Sequence, residues 1–213
     1  MIRLKVDPDN PDMKAIRAAA DAIREGQLVV FPTETVYGLA ADAMNADAVK
    51  KVFTAKGRAD KQPLPVQVGS IGAVSQAAEF VPASVRPLAE LYWPGPLTLV
   101  LVKNASIPRI LTAGRETIGV RVPDHPVALA LAKEVGSPIV ATSANVSGNP
   151  PPKNAEEAVR EVGPSVSVVL DGGECRLGQS STVVDVTVTP ARVLRRGSIS
   201  VDDIRKVLGE IEE

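Results

Sequence analysis

The 213-residue chain is 45% hydrophobic and 23% charged, the mix of an ordinary globular protein long enough for a substantial core. Lys and Arg number 24 against 25 acidic residues, a net charge of -1, which is unlike a dedicated duplex-DNA binder, and 3% aromatics are too few for base-stacking platforms. A lone cysteine and a lone histidine exclude an internal disulfide and a zinc constellation, and no apolar run has the length of a membrane span or a signal core, so a reducing cytoplasm is the expected compartment.

In chain order, Asp9-Asn10-Pro11-Asp12 opens a first helix, a capping residue preceding a proline of the first turn, and Ile16, Ala19, Ala20 and Ile23 carry it to Gly26. Leu28-Val29-Val30-Phe31 reads as a buried strand ending at Pro32, and residues 32–39 follow as a polar excursion that displays hydroxyls and a carboxylate at the strand's end. Residues 45–55 predict a short amphipathic helix burying Ala48, Val49, Val52 and Phe53, closed by Lys56-Gly57-Arg58, with proline-punctuated loop over 59–65. Residues 65–68 read as a strand, Ser70 caps a helix reaching about Phe80, and another helix spans 83–92. Trp93-Pro94-Gly95-Pro96 turns the chain into the apolar run 97–102, a strand of central character.

Residues 116–123 form a shorter strand in which Arg121 faces opposite to Val120 and Val122. A helix over 126–136, with Gly136 as its stop, precedes a strand over 138–142 that runs into the small, polar residues 143–152. A helix over 154–162, strands over 166–170, 182–186 and 192–194, and a last helix capped by Ser200 complete the pattern. Alternating strands and helices with short connections, and no repeat or linker, predict one α/β domain over 1–213 with a mixed sheet.

Three residues stand at the centre of the functional reading. Lys56 and Arg58 either complement the negative end of a helix dipole or, if Gly57 stops the helix in a left-handed conformation, converge on one anion. A lysine point charge and a planar arginine fork suit phosphate and carboxylate. Ser143-Ala144-Asn145, at a strand's carboxyl end, offers hydroxyl and amide groups to phosphate or ribose, or else a turn satisfying its own backbone; Gln179-Ser180-Ser181-Thr182 is similar. Arg121 either reaches solvent or serves a buried anion. Arg195-Arg196 reads as a solvated strand end, His125 as support for a turn and helix start, Trp93 as a packing anchor, and Cys175 as incidental. There is no Walker loop and no G-x-G-x-x-G turn. Polar loops recur where strands stop, which points to a small-molecule site for an anion, without a metal cage or an evident nucleophile.

Phe31-Pro32-Thr33-Glu34-Thr35-Val36-Tyr37-Gly38-Leu39, Lys56-x-Arg58, Trp93-Pro94-Gly95-Pro96-Leu97-Thr98, Gly119-Val120-Arg121-Val122-Pro123, Ser143-x-Asn145, Ser181-Thr182-Val183-Val184-Asp185 and Arg195 together resemble the YrdC-type threonylcarbamoyl-AMP synthases, in their single-domain form. The resemblance implies a YrdC-like twisted mixed sheet flanked by helices around a large positively charged cavity. It implies that L-threonine, bicarbonate and ATP give threonylcarbamoyl-AMP and pyrophosphate, with Mg2+ on the phosphates. The product would feed tRNA threonylcarbamoyladenosine modification, with tRNA-modification enzymes as partners and weak RNA binding.

By that resemblance Thr35, Gln67, Arg121, the Ala141 backbone and Ser181 hold threonine. Arg58, Gln62, Thr117, Ser143 and Arg195 hold ATP, and Lys56 and Asn145 complete a catalytic tetrad with Arg58 and Ser143. The family usually has proline at the position of Ala59, asparagine at Gln62 and histidine at Gln67. Two rival readings stand beside this one: a non-catalytic RNA-binding module of the same fold, and a paralogue that activates a different carbamate.

Overall fold

The computed structural model describes residues 1–58 and 62–213; Ala59, Asp60 and Lys61, the start of the expected loop, lie outside the described residues. Its strands are β1 (Ile2–Lys5), β2 (Val29–Phe31), β3 (Gly38–Asp42), β4 (Val66–Gln67), β5 (Leu97–Val102), β6 (Thr117–Arg121), β7 (Ile139–Ser143), β8 (Val168–Asp171), β9 (Thr182–Asp185), β10 (Ala191–Arg195) and β11 (Ile211–Glu212). The α-helices are α1 (Met13–Arg24), α2 (Ala46–Lys56), α3 (Arg86–Tyr92), α4 (Pro126–Val135), α5 (Ala155–Val162) and α6 (Val201–Leu208). All the strands join one sheet in the order β1-β8-β2-β3-β7-β4-β6-β5-β9-β10-β11. Its pairings are mixed: β5 runs antiparallel to β6 and parallel to β9, and β4 parallel to β6 and antiparallel to β7. This is the mixed α/β sheet that the alternation of elements predicts.

The period-two geometry of strands sorts the core onto two faces. Val30, Leu39, Val140 and Val169 point to one face, where α2, α3, α5 and α6 supply Val52, Leu88, Ala158 and Ile204. Val29, Phe31, Ala40, Ile139 and Leu170 point to the other, where α1 and α4 supply Ile16, Ile23, Val127 and Leu131. The first face is covered along most of the sheet. On the second, α1 and α4 cover only the end near β2, β3 and β8, and the remainder is where the cavity described below lies.

Local signals explain most helix ends. Asn45, His125, Asn154 and Ser200 cap α2, α4, α5 and α6, each accepting a hydrogen bond from a first-turn backbone N–H. The His125 cap is the supporting role read from the sequence, with Nδ1 accepting from Val127 N at 3.2 Å. Trp93 is buried as expected and donates Nε1–H to the Leu97 carbonyl at 2.8 Å.

Several expectations are corrected. The cap of α1 is Asp12, two residues after Asn10, because Asp12 receives the Lys14 N–H while Asp7 occupies the N–H of Asn10. The helix expected from Ser70 to Phe80 is a 3-10 helix, Ile71–Gln76, and the one over 83–92 begins as a 3-10 turn before α3. Strands β1, β3 and β11 had no clear sequence signal.

Gly57 ends α2 with φ 54 and ψ 29, the left-handed stop read from the sequence. A Cβ there would meet only Val146 Cγ1 at 4.0 Å, so the backbone conformation alone penalises substitution. Gly57→Ala is expected to cost about 1–2 kcal/mol, seen in thermal denaturation as a midpoint lowered by roughly 2–8 °C.

Candidate active site

The cavity is built by strand alternation. Thr98 and Val100 of β5, Thr117, Gly119 and Arg121 of β6, Ala141 and Ser143 of β7, and Val183 and Asp185 of β9 are alternate residues facing one space of about 260 Å³. Their neighbours Leu99, Leu101, Ile118, Val120 and Val184 enter the core on the opposite face. The loop before β3 brings Thr33 and Thr35, the segment before β4 brings Pro63 to Pro65, and β10 brings Leu194 and Arg195.

Nine of the twelve residues singled out from the sequence line this space: Thr35, Arg58, Gln67, Thr117, Arg121, Ala141, Ser143, Ser181 and Arg195. They come from positions as far apart as 35 and 195. Lys56 and Asn145 are buried but are not among the lining residues, and Gln62 is exposed.

Arg121, 7% exposed, is held on each arm of its fork. Nε donates to the Gly95 carbonyl and Nη1 to Thr35 Oγ1, both at 3.0 Å, while Nη2 lies 2.7 Å from Oε1 of Glu34, which is 1% exposed. That last pair is close but not aligned as a hydrogen bond, and both Glu34 oxygens lack a hydrogen-bond donor among the described residues. Arg121 is thus the buried-anion arginine of the two alternatives, and one anion is the protein's own Glu34. The Glu34 carboxylate, read from the sequence as displayed at the end of β2, is instead buried against Arg121.

Thr33 and Thr35 share a hydroxyl contact at 2.8 Å, and Ser181 Oγ sits 2.8 Å from Thr98 Oγ1. Arg195 wraps Ser181, donating Nε and Nη2 to its carbonyl at 3.1 and 2.9 Å and Nη2 to its hydroxyl at 2.9 Å. Arg195 and Arg196 are both exposed, the solvated strand end read from the sequence, but their head groups go different ways: Arg196 pairs with Glu213, while Arg195 turns its guanidinium onto Ser181 at the cavity wall. The β10 register shift between Val193 and Arg195 accompanies the turn of the Arg195 guanidinium toward Ser181.

Lys56 and Arg58 divide their labour. Arg58 reaches the cavity, with Nη2 on the Pro63 carbonyl at 2.9 Å and Nε buried without a partner among the described residues. Lys56, 2% exposed, turns beneath the following loop and donates Nζ–H to the carbonyls of Ser143 and, at 2.7 Å, Asn145. The Gly57 stop is present, but the convergence of both side chains on one anion that it was expected to allow is corrected: Arg58 faces the cavity, while the Ser143 and Asn145 carbonyls take the Lys56 ammonium.

The charge of the cavity wall is one-sided: Arg58, Arg115, Arg121 and Arg195 face it, with Asp185 as the acidic lining residue. Burial pulls the Arg195 pKa down, and the neighbouring Arg121 and Arg58 pull it further. Burial likewise lowers Arg58. Guanidiniums that repel one another in a half-closed space favour an anion between them. Burial, then the Arg58 charge, lowers Lys56 to about 8, with Glu161 acting in the opposite sense. Oε1 of Gln67 is a buried acceptor without a donor among the described residues. Cys175 lies outside the cavity lining, and burial pushes its thiol up to about 12, consistent with an inert packing role.

The family model Sua5_yciO_yrdC, described as "Telomere recombination", matches residues 21–197. The chain belongs to the Sua5/YciO/YrdC family. Among curated relatives of the family, the threonylcarbamoyl-AMP synthase of Pyrococcus abyssi is 46% identical over 92% of this chain, and a putative threonylcarbamoyl-AMP synthase of Mycobacterium tuberculosis is 43% identical over 95%. The chain spans 58% of the first relative's length and 93% of the second's. The crystal structure of P. abyssi Sua5 complexed with L-threonine superposes with a TM-score of 0.95 at 43% identity, covering all of this chain and 62% of that one. The twisted sheet with its flanking helices is therefore the Sua5/YciO/YrdC fold.

Proposed function

We propose that this chain is an L-threonylcarbamoyladenylate synthase, a nucleotidyltransferase that makes threonylcarbamoyl-AMP and pyrophosphate from L-threonine, bicarbonate and ATP, working from the open part of its eleven-stranded sheet. The observation that carries the reading is the convergence of nine expected substrate contacts, drawn from seven separate segments, on one guanidinium-rich cavity. The names of its relatives and the threonine held by P. abyssi Sua5 support it.

In this reading the threonine amine loses a proton and forms a bond to the carbon of bicarbonate, with water leaving, to give a carbamate. A carbamate oxygen then attacks the α-phosphorus of ATP, and the bond to the pyrophosphate oxygen breaks with its electron pair on pyrophosphate. No protein nucleophile takes part. The chain's own work is to hold two anions against each other and to offset the charge that develops at phosphorus.

Thr35, Arg121, Gln67, the Ala141 backbone and Ser181 are assigned to the threonine. Arg58, Thr117, Ser143 and Arg195 are assigned to the nucleotide, and Gln62 to its outer edge. Lys56 and Asn145 are assigned to the loop that presents Ser143. Among the described residues no cluster of three His, Cys, Asp or Glu side chains forms a metal cage, so Mg2+ is assigned to the triphosphate it arrives with. Among the described residues no helix is long and apolar enough to cross a membrane. Transfer of the product to tRNA-modification enzymes, with weak RNA contact, belongs to the same proposal.

Pyrophosphate release from ATP tests the assignment. Release is expected to require both bicarbonate and threonine, and to slow about tenfold or more with serine, which lacks one methyl group. Equal release without an amino acid overturns it, and salt-sensitive tRNA retention on filters without any ATP turnover favours the RNA-binding module instead.

A further inference from the structure

We propose that Glu161 is a positioning residue, whose carboxylate clamps the loop carrying Ser143 and Asn145 and thereby sets the nucleotide half of the cavity. The role rests on the synthase reading, which assigns Ser143 to ATP.

Glu161 sits in the last turn of α5, at the negative end of the helix dipole, where a carboxylate is locally unfavourable. The same helix places Glu156 and Glu157 in its first turn, where acids are favoured. The exception is explained by what Glu161 touches. Its Oε2 accepts the backbone N–H of Val146 at 2.9 Å and the Nδ2–H of Asn149 at 2.8 Å. Asn145 closes the same loop internally, donating Nδ2–H to the carbonyls of Val146 and Asn149 at 2.8 and 2.9 Å.

On the other side of the loop Lys56 donates to the carbonyls of Ser143 and Asn145, and its own carbonyl accepts the Ser147 N–H at 2.8 Å. Residues 143–149 are therefore gripped between the end of α2, by a cation on carbonyls, and the end of α5, by an anion on N–H groups. Each grip uses the charge that matches the backbone dipoles it meets. Ser143 is the residue of this loop whose surface reaches the cavity, so both grips act on the nucleotide contact through it. The charged groups acting on Lys56 are Arg58, which weakens its hold on a proton, and Glu161, which strengthens it.

The test compares the 213-residue chain with Glu161→Ala and Glu161→Gln, by amide hydrogen exchange and by pyrophosphate-release kinetics with ATP and threonine varied separately. Glu161→Ala removes the acceptor. It is expected to speed exchange over residues 144–149 and to raise the KM for ATP, each by more than about tenfold, the scale of one hydrogen bond to a charged group. The KM for threonine stays within about twofold, since Glu161 touches no residue assigned to threonine. Glu161→Gln keeps an acceptor oxygen but not the charge. It is expected to retain most of the protection while the alkaline limb of the rate profile moves to lower pH, because Lys56 loses the carboxylate that helps hold its proton.

Wild-type exchange over 144–149 in Glu161→Ala overturns the proposal. So does faster exchange across the whole chain with both KM values raised alike, which is general destabilisation. If the wild-type chain releases no pyrophosphate, the synthase reading fails by itself. Exchange over 144–149 and calorimetric ATP affinity in the variants then still decide whether Glu161 acts as the clamp.

Discussion

Arg121→Ala is expected to lower threonine-dependent pyrophosphate release by about a hundred- to a thousandfold, the loss that follows removal of one charge-stabilising donor from a preorganised site. It is also expected to destabilise the fold, because Glu34 is left as a buried charge with its cation gone. Breaking one side of a buried ion pair costs about 3–5 kcal/mol, a large part of the stability of an ordinary domain and a fall of roughly 6–20 °C in melting midpoint.

The two effects separate in a double variant. Arg121→Met with Glu34→Gln leaves no lone charge and is expected to recover much of the midpoint without recovering turnover. Arg121→Lys keeps the charge but cannot reach Gly95 O, Thr35 Oγ1 and Glu34 together, so its activity is expected to fall well below wild type while its fold persists. Recovery of activity in the Arg121→Met, Glu34→Gln variant would remove Arg121 from the substrate site.

Lys56→Met is the second large effect, with a different cause. The ammonium does not line the cavity, so its loss acts through the Ser143–Asn145 carbonyls that it holds. A misplacement of about 1 Å at a substrate contact can cost roughly a hundredfold in rate, and that is the expected loss of pyrophosphate release. Stability depends on pH in the opposite direction from activity. The folded Lys56 pKa of about 8 lies below its ordinary 10.5, so between these values the unfolded chain binds more protons. The stability contributed by this group accordingly rises from pH 8 to 10.5 and is lost again as pH falls through 8. The wild-type midpoint, compared with that of Lys56→Met, is expected to gain ground over that window, while wild-type turnover declines as the Lys56 charge is lost. A wild-type midpoint that loses ground to that of Lys56→Met as pH rises from 8 to 10.5 would contradict the assignment.

Much of this architecture could be read from local sequence. Asn45 and Gly57 bracket α2, His125 and Gly136 bracket α4, and Leu97 to Val102 could hardly be anything but a buried strand. What escaped reading depends on partners far away in sequence. Strand β3, Gly-Leu-Ala-Ala-Asp, has low intrinsic strand preference and exists because β2 and β7 offer antiparallel ladders on both sides. β1 is an exposed edge paired with β8, more than 160 positions away.

The site shows the same division. The lining of Thr35, Ser143 and Arg195 followed from assembled motifs, and the Gly57 stop from one glycine. The burial of Lys56 beneath a loop 87 positions onward and the Glu34 partner of Arg121 had no local signal, and the Glu161 grip had only a faint one. A polar side chain at a helix end reads the same whether water or a distant carbonyl receives it. Glu161 alone carried a hint, as an acid in the turn where the helix dipole disfavours one.

The most direct measurement is the mass of the product formed from ATP, L-threonine and 13C-bicarbonate. An adduct containing AMP, threonine and one 13C carbon is expected, appearing in step with pyrophosphate. Pyrophosphate released alongside AMP alone, or an AMP–threonine adduct without the labelled carbon, would contradict it.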